Sequence, residues 1–349
     1  MTNEIEVKLV LSEEAANFFS QEISAFKILS KGNIFLENTY YDTQDLFFAH
    51  NKMGFRIRKE NQIITQTLKT NGEILGGLHS RLEYNVTLSE FKPNLDKIKD
   101  IYPLHENLPK SPLIAVFSTD FNRDFWLVEV GSDTEIEIAL DKGKITSREL
   151  AQSICELEFE LKKGNVESLL YFIRNLNFEN GVRLSATSKA KYGYLLFRGT
   201  NLDNQDWLDN WRYFLAIDEP SKLYHLFQFE QNLIEETFIL GKSFFYDDFI
   251  RTIERIGMFF NLFHFYVTND NLIKDELFEQ QKKKNISYLD QLIFVNIIET
   301  NQYLLTEIQE IISQHSKTKN NQLAIDKLFT LLETGRFVKR QLDLILLTV

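Results

Sequence analysis

At 349 residues the chain is longer than a single core usually supports, so two domains are expected. A hydrophobic fraction of 44% with 26% charged residues fits a folded chain, and the longest apolar run, 258–267, is broken by Asn261 and His264 and is far shorter than the ~20 residues of a membrane span. A net charge of −11 excludes nucleic-acid binding by overall attraction; an N-terminus bearing Glu4 and Glu6, with no export-signal pattern, and a single Cys155 point to the cytoplasm.

Up to about residue 200 polarity alternates with a period of two in short segments separated by Gly, Asn, Asp and Pro, which predicts antiparallel strands joined by turns. The first strand, 3–11, leads into a helix capped by Ser12, with Glu13 and Glu14 in its first turn and Ala15, Phe18, Phe19 and Ile23 as its apolar face. Strands follow over 34–42, 53–60, 62–70 and 81–88, with Gly72, Gly76 and Gly77 reading as hairpin turns rather than a phosphate loop. The stretch 113–130 reads as two strands with a turn near Asn122, and further strands cover 134–141 and 154–162. A helix over 166–177 spaces Leu169, Leu170, Ile173 and Leu176 along one side, and 185–196 reads as the last strand.

Beyond about residue 203 apolar residues recur at three and four, the pattern of a helical domain. One helix carries Leu223, Leu226, Phe227, Leu233 and Ile234; another Phe249, Ile253, Ile256, Phe260 and Phe263; a third Leu292, Val295, Ile298, Leu305 and Ile308; a fourth Leu323, Leu328, Leu331 and Leu332. Lys282, Lys283 and Lys284 read as a solvated helix end. The expected organisation is α+β, with a β domain over 1–200 and an all-α domain over 201–349.

In Glu4-Ile5-Glu6-Val7-Lys8 the charged residues sit two apart and share one strand face, opposite Ile5, Val7 and Leu9. The arrangement recurs in Arg56 and Arg58, in Lys69, in Arg81 and Glu83, in Glu135, Glu137 and Asp141, and in Glu156, Glu158 and Glu160, with Arg123 and Lys189 as isolated cations. Period-two polarity alone also fits an ordinary sheet with one wet face. Residue type argues for more: carboxylates side by side on one strand repel unless a cation neutralises them, and oxygen ligands suit Mg²⁺ or Mn²⁺. Inward guanidinium groups need an anion, and their forks match phosphate oxygens. Residues 1–200 hold 24 Lys and Arg against 28 Asp and Glu, so any anion site is a local concentration rather than a global field.

Glu4-Ile5-Glu6-Val7-Lys8 resembles the ExExK signature of the CYTH, or triphosphate tunnel metalloenzyme, superfamily; Arg56-Ile57-Arg58 resembles its RxR strand and Thr67-Leu68-Lys69 its lysine strand. The likeness runs through the acidic strand 155–161 to Ser188-Lys189-Ala190, and Gly76-Gly77-Leu78-His79, Glu83-Tyr84-Asn85 and Ser118-Thr119-Asp120-Phe121 look most similar to its bacterial inorganic triphosphatase branch, where a CHAD-type helical domain follows. The resemblance implies an eight-stranded antiparallel barrel with the triphosphate held inside. Glu4, Glu6, Glu158 and Glu160 would be metal ligands, with Glu156, Glu137 and Asp141 on suitable faces. Lys8, Arg56, Arg58, Lys69, Arg81, Arg123 and Lys189 would be phosphate contacts, and Glu4, Glu6, Lys8, Glu158 and Glu160 the catalytic set. The implied reaction is metal-dependent hydrolysis of tripolyphosphate to pyrophosphate and phosphate. Thiamine or nucleoside triphosphates are alternative substrates, and adenylate cyclase or non-catalytic polyphosphate binding are competing functions. His79, in phase with Arg81 and Glu83, could contact substrate but reads rather as a turn-side hydrogen-bonded histidine. The helical part, with only His225, His264, His315 and five Arg, resembles a shortened CHAD domain, for which packing, self-association or polyphosphate contact are the expected roles.

Overall fold

The computed structural model describes residues 2–199, 207–217, 222–268, 275, 278–279, 282 and 288–349. Contacts divide the chain into two compact units, Met1–Leu169 with Ser185–Asn201, and Leu170–Leu184 with Leu202–Val349.

The first unit is a closed barrel. Its strands are β1 (Thr2–Leu11), β2 (Lys27–Asp42), β3 (Gly54–Glu60), β4 (Ile63–Lys69), β6 (Leu78–Leu88), β7 (Ile114–Val130), β8 (Thr134–Ser147) and β9 (Leu150–Lys163), with a short β5 (Glu73–Leu75) hairpinned onto β6. Neighbours run β1-β9-β8-β7-β2-β3-β4-β6, every pair antiparallel, and β6 pairs with β1 to close the ring. Closure leaves no free sheet edge among these eight strands. Between β5 and β6 the chain turns through Gly76, whose φ of 61° suits glycine.

Charged residues fill the barrel interior, so the intervening apolar residues face outward and need cover. Val7, Leu9, Phe55, Ile57, Leu68, Leu157 and Phe159 are all buried. On one side the helix Glu13–Glu22 lays Phe19 edge-on against Trp126 and Phe159, with centroids 6.2 and 6.0 Å apart. On another, Phe48 stacks on Phe55 at 5.1 Å beside Leu68, Tyr84, Ile98 and Tyr102.

Several elements differ from the sequence expectation. β7 is one uninterrupted strand: Asn122 pairs with Phe35 on one side and Lys142 on the other, so ladders on both flanks hold straight a residue that favours turns. β8 runs on past Asp141 through Gly143, whose missing Cβ admits the Asp120 carbonyl, 2.1 Å from where that carbon would stand. Ser185–Leu196 is not a strand. Ser188 Oγ accepts from the Lys191 amide at 3.2 Å and starts a helix, Lys189–Arg198. Phe18 points to solvent, because only Ala15, Ala16 and Phe19 of its helix face the barrel.

The second unit packs the helices Trp207–Ala216, Lys222–Leu240, Met258–Thr268, Tyr288–Thr318, Asn321–Leu332 and Gly335–Thr348. Phe249–Thr252 passes through a π-helical turn, Ile253–Gly257, into Met258–Thr268. In Tyr288–Thr318 the buried stripe is Ile293, Phe294, Ile297, Leu304, Leu305 and Ile308, so Leu292 and Val295 lie one position off the stripe and are exposed, as is Leu323 in the next helix. At the centre Arg340 makes a bidentate pair with Glu230, at 2.7 and 2.9 Å, among Phe260, Phe263 and Phe337. Arg251 pairs with Asp248 at the surface, whereas Arg255 is buried against Glu236. Lys282 is exposed and pairs with Glu279; Lys283 and Lys284 lie outside the described residues.

Candidate functional site

Alternation along β1 sends Glu4, Glu6 and Lys8 into the barrel, and the registers decide what each one meets. Lys8 lies opposite Glu158 and Glu6 opposite Glu160 on β9, while Glu4 lies opposite Arg81 on β6. Across β8 and β9, Asp141 faces Glu156, and Asp141 in turn faces Arg123 on β7. These charged residues of one strand therefore land beside charged residues of the next.

Two ion-pair clusters result. In the deeper one, Lys8 Nζ lies 3.0 Å from Glu158 and 3.8 Å from Glu156, and Lys189 Nζ lies 2.8, 2.7 and 2.8 Å from Asp141, Glu156 and Glu158. Arg123 grips Asp141 with two bonds of 2.7 Å and reaches Glu158 at 2.7 Å. Phe121 lies beneath both cations, its ring centroid 5.2 Å from Lys189 Nζ and 5.7 Å from Arg123 Cζ. In the second cluster Lys69 pairs with Glu4 at 2.9 Å and with Glu83, and Arg81 bridges Glu4 at 3.1 Å and Glu6 at 2.9 Å. Side-chain exposure rises from 0% at Asp141 and 5% at Glu156 to 13% at Glu158 and 29% at Glu160, so the barrel opens toward Glu160. Glu137 and Lys162 stand at that open end, Lys162 lying 2.7 Å from Glu160 and 3.6 Å from Glu137.

The helix Lys189–Arg198 closes the opposite end. Gly193 lies so near β7 that a Cβ there would stand 2.2 Å from Phe117 Cδ2. Phe117 stacks on Tyr40 at 4.4 Å, and Tyr194 donates from its hydroxyl to the buried Asp42 at 2.8 Å.

Arg56 and Arg58 stand apart from both clusters. Arg58 Nε donates to Asn38 Oδ1 at 2.7 Å, Arg56 bonds the Tyr40 hydroxyl, and the Arg56 Nε is buried without a hydrogen-bond partner. Among the described residues no carboxylate lies within ion-pairing distance of either guanidinium. Burial, with Arg56 and Arg123 nearby, lowers the Arg58 guanidinium to about 9. Burial works against the Tyr40 phenolate, but Arg56, Lys69 and Arg58 prevail and pull its hydroxyl below the ordinary range. Burial opposes the Arg56 charge, but Tyr40, Glu83 and Glu4 outweigh it and raise the guanidinium, so the least offset positive charge in this corner is that of Arg58.

The carboxylates divide in the same way. Burial opposes ionisation of Glu158, yet Lys189, Lys8 and Arg123 hold it well below the usual range, and Lys69 with Arg81 does the same for Glu4. Glu6 goes the other way: burial, then Glu158 and Glu4, push it up despite Lys8 and Arg81. Burial also raises Glu160, with Glu4 and Glu137 adding to it against Lys162. Among the described residues no three His, Cys, Asp or Glu side chains converge on one point to hold a metal, because the carboxylates turn toward Lys and Arg. The chemistry still fits a hard divalent cation. Glu6 and Glu160 face each other across the ladder, burial and neighbouring carboxylates outweigh the single cation paired with each, and every available donor is oxygen.

All seven cations named from the sequence therefore reach the barrel interior, and so do Glu4, Glu6, Glu156, Glu158, Glu160 and Asp141, with Glu137 at the open end. The sequence named Glu83 and Phe121 without a role for either, and it did not mark Asn38 or Tyr40. Glu83, in phase with Arg81, takes up Lys69, while Asn38, Tyr40 and Phe121 carry no charge to mark them.

Residues 2–194 match the CYTH domain family model. Over 352 aligned residues the chain is 44% identical to an inorganic triphosphatase of Haemophilus influenzae, spanning 99% of this chain and 97% of that protein. Among solved structures, a Hippeastrum adenylyl cyclase candidate with a dominant triphosphatase activity aligns over 57% of this chain and 98% of its own, at 17% identity and a TM-score of 0.39. A Mimivirus capping enzyme triphosphatase aligns over 50% of this chain and 87% of its own, at 14% identity and a TM-score of 0.33. Both likenesses are too distant to bear on the site. The family match over more than half of the chain, with a relative of 44% identity along nearly its whole length, makes this protein a member of the CYTH family.

Proposed function

We propose that the barrel hydrolyses inorganic tripolyphosphate to pyrophosphate and phosphate with a divalent metal, Mg²⁺ or Mn²⁺. The observation that carries the reading is the pair Arg56 and Arg58 inside a closed barrel, with no carboxylate at ion-pairing distance among the described residues and the Arg58 charge disfavoured without an anion. The near full-length likeness to an inorganic triphosphatase gives that anion its identity.

In this reading Arg56, Arg58, Lys69 and Arg81 hold one stretch of the phosphate chain, and Lys8, Arg123 and Lys189 the other. Glu4, Glu6, Glu158 and Glu160 would hold the metal, which supplies charge neutralisation at the transferring phosphorus; Glu156, Asp141 and Glu137 support the cations around it. Water adds to a terminal phosphorus in line with the bridging oxygen, that P–O bond breaks, and pyrophosphate leaves. The chain's own contribution is positional: fixed guanidinium and ammonium groups in a site walled from bulk water stabilise the charge that spreads over the equatorial oxygens.

We further propose that residues 1–200 form the catalytic domain, that 201–349 serve it by packing or self-association, and that the protein works in the cytoplasm. No helix among the described residues is long and apolar enough to cross a membrane. The test is phosphate release from tripolyphosphate, ATP and thiamine triphosphate with Mg²⁺ or Mn²⁺, comparing wild type with Glu6→Ala. Tripolyphosphate is expected to be turned over fastest, with metal required and activity lost in the variant. No metal-dependent turnover on any of the three would overturn the proposal.

A further inference from the structure

His79 stands outside the phosphate-binding set, yet it is 1% exposed and lies directly opposite Glu6 in the ladder between β1 and β6. Its Nε2 is 3.0 Å from the Ser185 carbonyl oxygen. A carbonyl only accepts, so Nε2 carries the proton and donates, leaving Nδ1 as the bare nitrogen. The Ser185 amide in turn donates to the Lys8 carbonyl at 3.0 Å. One residue of the chain is therefore held from two sides, by a β6 side chain and by the β1 backbone.

The three residues after Ser185 give the clasp its consequence. Ser185 Oγ accepts from the Thr187 amide at 3.2 Å and donates to the Thr187 carbonyl at 3.3 Å, and both residues are fully buried. Ser188 then caps the helix that closes the barrel, and Lys189, its first residue, inserts Nζ among Asp141, Glu156 and Glu158. With the turn closed on itself and both its residues buried, little slack separates Ser185 from Lys189. The position of Ser185 sets the depth of the ammonium group.

We propose that His79 is a positioning residue: by clasping Ser185 between β1 and β6 it fixes the strap 185–188 and with it the place of Lys189 in the phosphate site. The proposal rests on the triphosphatase reading only where activity is the readout.

The test compares wild type with His79→Gln, His79→Asn, Lys189→Met and the double variant His79→Asn/Lys189→Met. The Gln amide nitrogen stands as many bonds from Cβ as the histidine Nε2 and can still reach Ser185, whereas the Asn amide stops one bond short. Hydrogen exchange over residues 185–192 is measured beside kcat and KM for tripolyphosphate with Mg²⁺. In His79→Asn, loss of the bond is expected to speed exchange and raise KM by about tenfold each, while His79→Gln stays near wild type in both. The double variant is expected to be no worse than Lys189→Met, the non-additivity of residues acting through one another. Unchanged exchange in His79→Asn, or effects of His79→Asn and Lys189→Met that multiply, would overturn the clasp. Exchange needs no turnover, so it decides the clasp even if wild type releases no phosphate from tripolyphosphate, a result that counts against the triphosphatase reading alone. Should His79→Asn not fold, the imidazole ¹⁵N shifts of wild type decide: a proton on Nε2 is expected, and one on Nδ1 overturns the proposal.

Discussion

Replacing Arg58 by Met asks whether the Arg56 and Arg58 pair is kept in the barrel for the fold or for an anion. Burial, Arg56 and Arg123 lower the Arg58 guanidinium from 12.5 to about 9, a destabilisation of about 5 kcal/mol at ~1.36 kcal/mol per unit. Removing the charge recovers only part of this, because Arg58 is half-buried and the 2.7 Å bond to Asn38 is lost with it. A gain of about 1–2 kcal/mol remains, in line with other buried charges replaced by apolar residues. The ligand-free variant should therefore melt roughly 3–6 °C higher than wild type. Turnover should move oppositely, with kcat/KM for tripolyphosphate falling roughly 100- to 1000-fold, the scale of losing one fixed donor to transition-state charge. Thermal melts without ligand and steady-state phosphate release measure the two. A variant that melts lower than wild type and keeps its kinetics would refute the reasoning, since Arg58 would then be a structural group.

Lys189→Met should behave in the reverse sense: without that ammonium Asp141, Glu156 and Glu158 confront one another, and thermal unfolding should show a loss of about 3–5 kcal/mol. Glu4 and Glu158 have folded-state values below their ordinary 4.5, so the stability they contribute is complete above about pH 4.5 and is lost as pH falls below it. The melting temperature should decline below that pH, and Glu158→Gln should flatten the decline. Glu6 is raised, so its contribution is present below 4.5 and is lost as pH rises through its folded value; Glu6→Gln should melt higher than wild type at pH 7 while losing metal-dependent turnover. Gly193→Ala should cost about 2 kcal/mol in thermal unfolding, although alanine is the better helix former, because its Cβ would meet the Phe117 ring held by Tyr40.

The barrel was legible because closure makes both strand faces report. An open sheet with one wet face shows alternation but no constraint on the polar residue types. Here the polar positions of β1 and β9 are nearly all acidic or basic, and they pair by register into neutral clusters, Lys8 with Glu158 and Glu4 with Arg81. Complementary charge on different strands was the readable sign of a shared interior. Tyr40 and Asn38 were not readable, since what they do depends on which guanidinium the β2–β3 register brings opposite: Arg56 for Tyr40 and Arg58 for Asn38. In Tyr288–Thr318 the sequence places Leu305 and Ile308 on the buried stripe but takes Leu292 and Val295 for their buried neighbours Ile293 and Phe294, because apolar residues occupy adjacent stripes and only packing chooses between them.

In the segment 185–196 the secondary structure changes the chemistry. Tyr192, Tyr194 and Leu196 alternate as in a strand, and Gly193 costs a helix about 1 kcal/mol relative to alanine. Two features outweigh them: the Ser188 cap, and Phe117, which occupies the space a side chain at 193 would need. On a strand, Lys189 would be one more wall residue, reaching its ladder neighbours on either side. As the first residue of a helix that enters the barrel end, it approaches along the interior and meets Asp141 of β8 together with Glu156 and Glu158 of β9. The cation that ties two acidic strands together is thus delivered by the element least like a strand, and whatever holds that element in place governs the charge balance of the whole cluster.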